Sequence, residues 1–453
     1  MEQRPNILVL MCDQMQSQRM GFVDGVAHTP FLDGLAGEGV HYTHAFTCHG
    51  QCVPARASFQ TGLYPHECGI MAIYGFHGHQ ARLTRKYQTL GHIFQEAGYQ
   101  TAYFGKAHFG VPLADLGYQI DGGDYSMDEE EGRRLGLQEV PRVLRPNYRA
   151  CDQACDFLQN WDQRQGPLFM TFSTNLPHPP FFAEADHIDR FDPQQLELPH
   201  SFAAEDFAGK PPFQRAHALD GSHGALDEGQ LRAELAQYYS MIAAMDDHCS
   251  RIAEHFRRLD IWDNTLVLFC ADHGDMMGAH KMRLKGTLPY DELYRIPCIV
   301  KPPAGTSPKR RVVDDLVCSV QFPGTLIEGA GLELPAQFKN GSIYDRSFND
   351  SRPDEEGIFY EHYAAYWGIH PFYAHRTRTH KYVRYYGPDD ACEELYDLAA
   401  DPHELHNQAA NPDYAAVHAE LGARADAWWQ DTDGRDLAYY ESADFKANRH
   451  NQF

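Results

Sequence analysis

A cysteine and an arginine four residues apart, Cys52 and Arg56, form the first chemically suggestive pair in the sequence. Pro54 suits the first turn of a helix and Gly62 its C-terminal end, so Cys52 is predicted at a helix N-terminus. Backbone N–H groups and the helix dipole favour an anion there. Arg56 lies on the same helix face and could bring its donors to that anion. A thiol in this position has a lowered pKa, so Cys52 is either a nucleophilic thiolate or an inert structural thiol.

Polar side chains follow four apolar runs at the point where each run ends. The runs are 6–12, 101–104, 168–173 and 265–271. The groups that follow them are Asp13 and Gln14, then Lys106 and His108, then His178, and finally Asp272 and His273. Such runs are typical of interior strands covered by helices, and ligands bind at the carboxyl ends of parallel strands. If the four strands are neighbours, metal-ligating, cationic and imidazole groups meet along one edge of the sheet.

The remaining elements indicate an α/β fold, because short apolar runs alternate with longer amphipathic stretches. Helices are predicted over 29–38, 89–97, 148–161, 228–256 and 414–429. From about residue 342 the chain changes to aromatic, alternating stretches, 357–363 and 381–386, which are typical of half-buried antiparallel strands. We therefore predict two domains, a large one over 1–345 and a smaller α+β subdomain over 346–453.

Size and charge limit the class of protein. The 453 residues exceed what one simple core usually carries, and the apolar and charged fractions, 43% and 23%, are ordinary for a globular protein. No apolar run is long enough to span a bilayer. The formal net charge of −24 argues against nucleic acid and membranes as partners. An anion-binding site in this chain needs a local cluster of cations, which works because surface charges are screened beyond about 8–10 Å.

Cysteine usage and the first residues suggest a compartment. The 11 cysteines are odd in number and scattered, so no disulfide framework is predicted. The first residues lack the apolar core of a signal peptide. We expect a cytoplasmic protein unless a leader has been removed.

The segment from Cys52 to Gly62 resembles the sulfatase signature, cysteine-x-proline-x-arginine followed by a small-residue helix and Thr-Gly. Further segments are similar to family elements in the same order, and they are 6–14, 104–110, 177–180, 272–285, 394–398 and 401–405. The resemblance covers nearly the whole chain. It implies an alkaline-phosphatase-like fold, with a large, mixed, mostly parallel sheet sandwiched by helices and a smaller C-terminal antiparallel sheet.

The resemblance also implies the chemistry, which is hydrolysis of a sulfate monoester. A formylglycine-generating maturation enzyme would oxidise Cys52 to formylglycine, whose hydrate is the nucleophile. The metal ligands would be Asp13, Gln14, position 52, Asp272 and His273. Charge on the sulfuryl oxygens would be stabilised by Arg56, Lys106 and Lys285. His178 or Lys285 would protonate the leaving oxygen, and His108 would take the proton that lets the hemiacetal release sulfate.

Two positions, Gln14 and His273, depart from the aspartate and asparagine found in many sulfatases. All-oxygen sites suit Ca²⁺, which is the expected metal, whereas an imidazole nitrogen leans toward Mn²⁺. The same departures occur in the related phosphonate monoester and phosphodiester hydrolases, so that activity is the alternative. A non-catalytic, metal-dependent anion-binding protein is a further alternative, although the full set of catalytic residues speaks against it.

Other residues carry weaker predictions. The substrate pocket could include Tyr74, His77, Trp367 and His370, although simple packing explains each of them equally well. A structural zinc site could involve Cys48, His49, Cys52, His66 and Cys68, but their spacing is not that of a common zinc motif. The choice among aryl, choline and saccharide sulfates depends on loops, and the sequence of these loops does not identify the substrate. Assembly into a homo-oligomer is equally open.

Overall fold

The structure is a computed structural model that describes residues 4–80, 82–123, 146–183, 186–187, 190–219, 227–285, 288–348, 357–365, 368–387 and 392–449. Its strands are β1 Asn6–Cys12, β2 Val40–Phe46, β3 Gln100–Gly105, β4 Ile120–Asp121, β5 Leu168–Ser173, β6 Thr265–Ala271, β7 Cys298–Lys301, β8 Val312–Cys318, β9 Ile358–Ala365, β10 Gly368–Arg376, β11 His380–Tyr385 and β12 Glu393–Asp397. Its α-helices are α1 Gly21–Asp24, α2 Pro30–Glu38, α3 Cys52–Thr61, α4 Pro65–Cys68, α5 Leu90–Glu96, α6 Pro146–Asn160, α7 His200–Ala204, α8 Pro212–Leu219, α9 Glu228–Arg258, α10 Asp291–Tyr294, α11 Phe322–Gly329, α12 Tyr344–Phe348, α13 Ala415–Asp431, α14 Leu437–Tyr440 and α15 Ala443–Lys446.

The first sheet has eight strands in the order β4-β3-β5-β1-β6-β7-β2-β8. Its strands run parallel except β7, which is antiparallel to both of its neighbours. The four apolar runs of the sequence form β3, β5, β1 and β6, which are adjacent and parallel as predicted. Polar groups that follow these strands therefore gather at one edge of the sheet.

The register brings the ends of the central strands level with one another. Met11 pairs with Ser173 on one side and with Cys270 on the other. Two further backbone hydrogen bonds continue the pairing past the strands, from Asp13 N to Leu176 O at 3.0 Å and from Asp272 N to Cys12 O at 3.2 Å. The first residue after β1 and the first after β6 thus start at the same height.

Every residue of β1, β5 and β6 is buried, so both faces of this part of the sheet are covered, as is typical of a parallel sheet between helices. The longest, the 31-residue α9, packs against α6 and α2. Buried Asp246 of α9 accepts the backbone N–H groups of Phe31 and Leu32 at 2.9 Å each, which satisfies two donors at the N-terminus of α2. No helix in the described ranges is long and apolar enough to cross a membrane.

The second sheet is antiparallel, in the order β12-β11-β10-β9, and α13 packs on β10 and β11. Its Tyr360 and Phe372 share an apolar core with Phe46 and Tyr294 of the large sheet's side. The predicted architecture, a large mostly parallel sheet with helices and a smaller C-terminal antiparallel sheet, is confirmed. The domain boundary near residue 345 stays a prediction.

Replacing Asp246 by alanine should lower the free energy of unfolding by about 1–3 kcal/mol, because two buried N–H donors of α2 lose their acceptor. The measurement is urea-induced unfolding. The matched control is Glu254→Ala on the same helix, whose exposed pair with Arg258 should contribute under about 1 kcal/mol. Equal effects of the two substitutions would contradict a capping role for Asp246.

Candidate active site

Cys52 is the first residue of α3, as predicted. Gln51 before it is extended, and Gly62 ends the helix in the left-handed conformation with φ 68°. The Cys52 side chain is buried. The first turn of α3 therefore directs backbone N–H groups toward the position of the thiol, an arrangement that suits an anion.

Positive and imidazole groups surround the Cys52 sulfur. Lys285 Nζ donates to Cys52 Sγ at 2.8 Å, Lys106 Nζ lies 4.0 Å away and His273 Nε2 lies 3.2 Å away. His108 also interacts with this thiol and helps to lower its pKa, and the thiol in turn acts to raise the pKa of His178. Burial raises the pKa of Cys52, but Lys106, Lys285 and His273 outweigh it and hold the pKa well below its usual range. This position is therefore built for negative charge.

Arg56 lies one turn further along α3 and is buried with two carboxylates. Its Nε donates to Asp272 Oδ2 at 2.8 Å and its Nη2 to Asp13 Oδ2 at 2.9 Å. Its Nη1 donates to Lys106 O and to Ser173 Oγ, at 2.9 and 2.7 Å. Four of the five N–H donors are thus used by the protein. Arg56 therefore positions the carboxylates, a contact that the sequence did not predict, and its predicted role toward the bound anion stays a prediction.

The two carboxylates belong to the ends of β1 and β6. Burial and the Cys52 thiol raise the pKa of Asp13, but Lys106, His178 and Lys285 act together against them, and this pKa lies well below its usual range. Burial, followed by repulsion from Asp13, raises the pKa of Asp272. Ligand atoms of Asp13, Cys52, Asp272 and His273 all lie within 4.8 Å of one another, so the group could hold a metal ion.

Gln14 and His273 add neutral side chains to this group, whose lone pairs could bind a metal. His273 Nδ1 donates to Gly274 O at 2.8 Å, so in the neutral imidazole Nε2 carries the lone pair and faces Cys52. The Gln14 amide donates through Nε2 to Asp275, and its buried Oε1 has no hydrogen-bond partner in the described part of the chain. A buried orphaned carbonyl oxygen and an oriented imidazole fit a metal site.

Lys106 connects Asp13 to the segment that follows β5. Its Nζ lies 2.8 Å from Asp13 Oδ2 and donates to Asn175 Oδ1 at 2.9 Å. His178, three residues after Asn175, donates from Nδ1 to Pro179 O at 2.6 Å. Burial lowers the pKa of His178 to about 4, with help from Lys285 and Lys106. The site thus contains the local cluster of cations that an anion-binding site in this acidic chain needs.

Comparison with known proteins identifies the family to which this chain belongs. The family model described as Sulfatase matches residues 5–332, and a model for the C-terminal part of N-sulphoglucosamine sulphohydrolase matches residues 278–430. The chain belongs to the sulfatase family. The predicted resemblance is confirmed, and with it the activity of a sulfuric ester hydrolase.

Relatives align with this sulfatase over most of their length. An uncharacterized sulfatase, YidJ of Escherichia coli, is 30% identical over 92% of this chain and 86% of its own. The choline-sulfatase of Rhizobium meliloti is 28% identical over 97% of this chain and 89% of its own. The crystal structure of a phosphonate monoester hydrolase of Agrobacterium radiobacter has a TM-score of 0.80 at 24% identity, covering 96% of this chain and 97% of that one. That last likeness concerns the fold alone.

Three positioning residues of the sulfatase escaped the sequence prediction. Ser173 receives a hydrogen bond from Arg56, Asn175 receives one from Lys106, and Asp275 receives one from Gln14. Asn175 and Asp275 each lie within four residues of a strand end, which is the signal that identified their neighbours. This signal could have found them.

The predicted pocket residues keep their standing as predictions. His77 Nε2 lies 2.9 Å from Ala365 O, and Tyr74 is exposed beneath the Arg82 guanidinium, 4.5 Å from its ring centre. His370 stacks on Phe213 with ring centres 4.0 Å apart. Trp367 lies outside the described residues.

The zinc hypothesis receives no support. In the described ranges, the group that brings His, Cys, Asp or Glu ligand atoms close enough for a metal is the one around Cys52. His66 instead pairs with the buried carboxylate of Glu361, 2.5 Å from its Nδ1.

Replacing Arg56 by methionine should destabilise the sulfatase by about 3–5 kcal/mol, because it leaves two buried carboxylates without their shared guanidinium. Urea-induced unfolding in the presence of a chelator measures the effect. Arg85→Met is the matched control, since the exposed pair of Arg85 with Asp115 should contribute about 0–1 kcal/mol. Comparable stability of the two variants would show that Arg56 does not hold the carboxylates.

Proposed function

We propose that this sulfatase hydrolyses a sulfate monoester with formylglycine at position 52 as the nucleophile and a divalent metal beside it. The observation that carries the proposal is the environment of Cys52 Sγ. Two carboxylates, an imidazole nitrogen and two ammonium groups surround this one buried atom. The sulfur stands in for a hydroxyl oxygen of the formylglycine hydrate.

The residues around Cys52 fit a metal. The ligands would be the carboxylates of Asp13 and Asp272, the Nε2 of His273 and the Oε1 of Gln14, together with the oxygen at position 52. A divalent cation there would acidify the nucleophilic hydroxyl and polarise the sulfate group. Mostly oxygen ligands favour Ca²⁺, and the single imidazole also admits Mn²⁺.

The chain's own side chains would then carry the reaction. The hydroxyl at position 52 first loses its proton to solvent, because Lys106 and Lys285 favour negative charge at this atom. Its oxygen then attacks sulfur, and the bond from sulfur to the ester oxygen breaks. Lys106 and Lys285 donate hydrogen bonds to the sulfuryl oxygens as negative charge develops on them. Lys285 supplies a proton to the leaving oxygen, since its ammonium carries three. His178 is the second candidate for this role, but burial lowers its pKa to about 4, so it would first have to take up a proton.

Release of sulfate would need a base rather than a water molecule at sulfur. His108 takes the proton from the second hydroxyl of the sulfated hydrate, and the bond from carbon to the sulfate oxygen breaks. The aldehyde re-forms, and hydration restores the nucleophile. His108 interacts with the side chain at position 52 and helps to lower its pKa, which supports this assignment.

A sulfated saccharide is the proposed substrate class, with an aryl sulfate as a convenient assay substrate. The match of residues 278–430 to the C-terminal model of N-sulphoglucosamine sulphohydrolase supports it. The alternative is a phosphonate monoester or phosphodiester, which the neutral ligands Gln14 and His273 favour. The ratio of kcat/KM for an aryl sulfate to that for an aryl phosphonate monoester separates the two, and a ratio below one would overturn the sulfate proposal.

Mass spectrometry of the peptide that contains Cys52 tests the nucleophile. The protein should be co-expressed with a formylglycine-generating enzyme, and the expected product has an aldehyde in place of the Cys52 thiol. Cys48 lies outside the signature and should keep its thiol, which makes it an internal control. An unmodified Cys52 would overturn the proposal and favour the thiolate or the binding protein.

Substitution of the cationic and imidazole groups tests the mechanism. Lys106→Ala and His178→Ala should each lower kcat/KM for an aryl sulfate by about 100-fold or more, because each removes a group that contacts the reacting atoms. Arg85→Ala removes an exposed cation and should leave kcat/KM unchanged. Near-wild-type turnover in both site variants would exclude the assigned roles.

A further inference from the structure

The Gln14 side chain poses a problem of orientation. A neutral amide has an oxygen at one branch and an NH₂ group at the other, and only the oxygen can bind a cation. Rotation of the amide by half a turn exchanges the two with little change of shape. Something other than shape must therefore decide which end faces the metal site.

Asp275 fixes the orientation of the Gln14 amide. Its Oδ2 accepts a hydrogen bond from Gln14 Nε2, which holds the NH₂ group on Asp275 and leaves Oε1 as the buried atom without a partner among the described residues. The Asp275 side chain is fully buried, so water does not compete for Oδ2. Gln14 is also held through its backbone, since its N–H donates to Asp272 Oδ1 at 3.1 Å and its carbonyl accepts from Tyr238 at 2.7 Å.

The second oxygen of Asp275 holds the loop that carries Lys285. Oδ1 accepts the backbone N–H groups of Met277 and Leu284, at 2.7 and 3.0 Å. Between these two residues the chain turns sharply, and four non-glycine residues of the loop have positive φ: Met277, His280, Lys281 and Leu284. Such a loop keeps one conformation only when surrounding contacts determine it.

We infer that Asp275 is a positioning residue that orients the metal ligand Gln14 and anchors the Lys285 loop through the two oxygens of one carboxylate. The inference rests on the proposed metal site. It predicts that the two functions can be separated, because an asparagine at position 275 keeps one oxygen but replaces the other by an NH₂ group.

Asp275→Asn is therefore the decisive variant. The remaining oxygen of the new side chain can still accept from Met277 and Leu284, so the loop stays anchored. Its NH₂ group would face the NH₂ group of Gln14, and two donors repel. Gln14 relieves the conflict by turning its oxygen toward the introduced amide and its NH₂ group toward the cation. The dissociation constants for Ca²⁺ and Mn²⁺, measured by equilibrium dialysis, should rise at least about 10-fold.

A second substitution should restore binding. In Gln14→Glu combined with Asp275→Asn, one carboxylate oxygen at position 14 accepts from the amide at position 275 and the other faces the metal. The double variant should bind both metals at least as tightly as the wild type. Asp246→Asn is the matched control, because Asp246 is also buried and also accepts two backbone N–H groups, but at the N-terminus of α2. It should leave both dissociation constants unchanged.

Three outcomes are distinguishable. Loss of affinity in Asp275→Asn, its return in the double variant and an unchanged melting temperature of the metal-free protein support the inference. Wild-type affinity in Asp275→Asn, whatever its melting temperature, overturns it and leaves Asp275 a purely structural residue. Absence of binding in the wild type, or binding that Asp13→Asn does not weaken, overturns the proposed metal site itself.

Discussion

The active site depends on one buried guanidinium, that of Arg56, which bridges the carboxylates of Asp13 and Asp272. Two like charges taken out of water repel each other, and a shared cation lowers the cost of holding them together. The bridge is geometrically demanding, because a planar fork must meet two carboxylates from different strands. Only strands that end level with each other can offer them, which is the register that β1 and β6 adopt. The sheet and the site thus constrain each other.

The same electrostatic requirement explains how an acidic protein binds an anion. The formal charge of −24 lies largely on a solvated surface, where screening limits its range. The cations of the site, Arg56, Lys106 and Lys285, are all buried, and there their interactions are strong. Arg56 is largely committed to the two carboxylates, whereas both lysines approach Cys52 Sγ. The cations thus divide between holding the ligands and facing the reacting group.

Much of the fold and of the site could be predicted from the sequence, because the chemically important side chains follow the ends of buried strands that apolar runs reveal. The runs 6–12, 168–173 and 265–271 coincide with β1, β5 and β6, since strands buried on both faces are continuous apolar runs. Strand β2, with two histidines and a threonine in its seven residues, lacks that pattern and was not predicted. The contacts of Arg56 with Asp13 and Asp272 were also missed, because the signature reveals the helix face but not the acceptors opposite it. Hydrogen bonds between distant segments, such as that from Gln14 to Asp275, leave no local pattern.

The neutral ligands Gln14 and His273 explain why this site needs outer partners. A carboxylate presents the same oxygen at either branch, so its orientation toward a cation needs no further specification. An amide or an imidazole offers a donor on one side and a lone pair on the other, and only one arrangement binds metal. In this protein each of the two neutral side chains donates a hydrogen bond to a fixed acceptor, Gln14 to the Asp275 carboxylate and His273 to the Gly274 carbonyl. Replacing acidic ligands by neutral ones lowers the negative charge around the metal. The orientation that charge alone would have supplied then has to come from the second layer of hydrogen bonds.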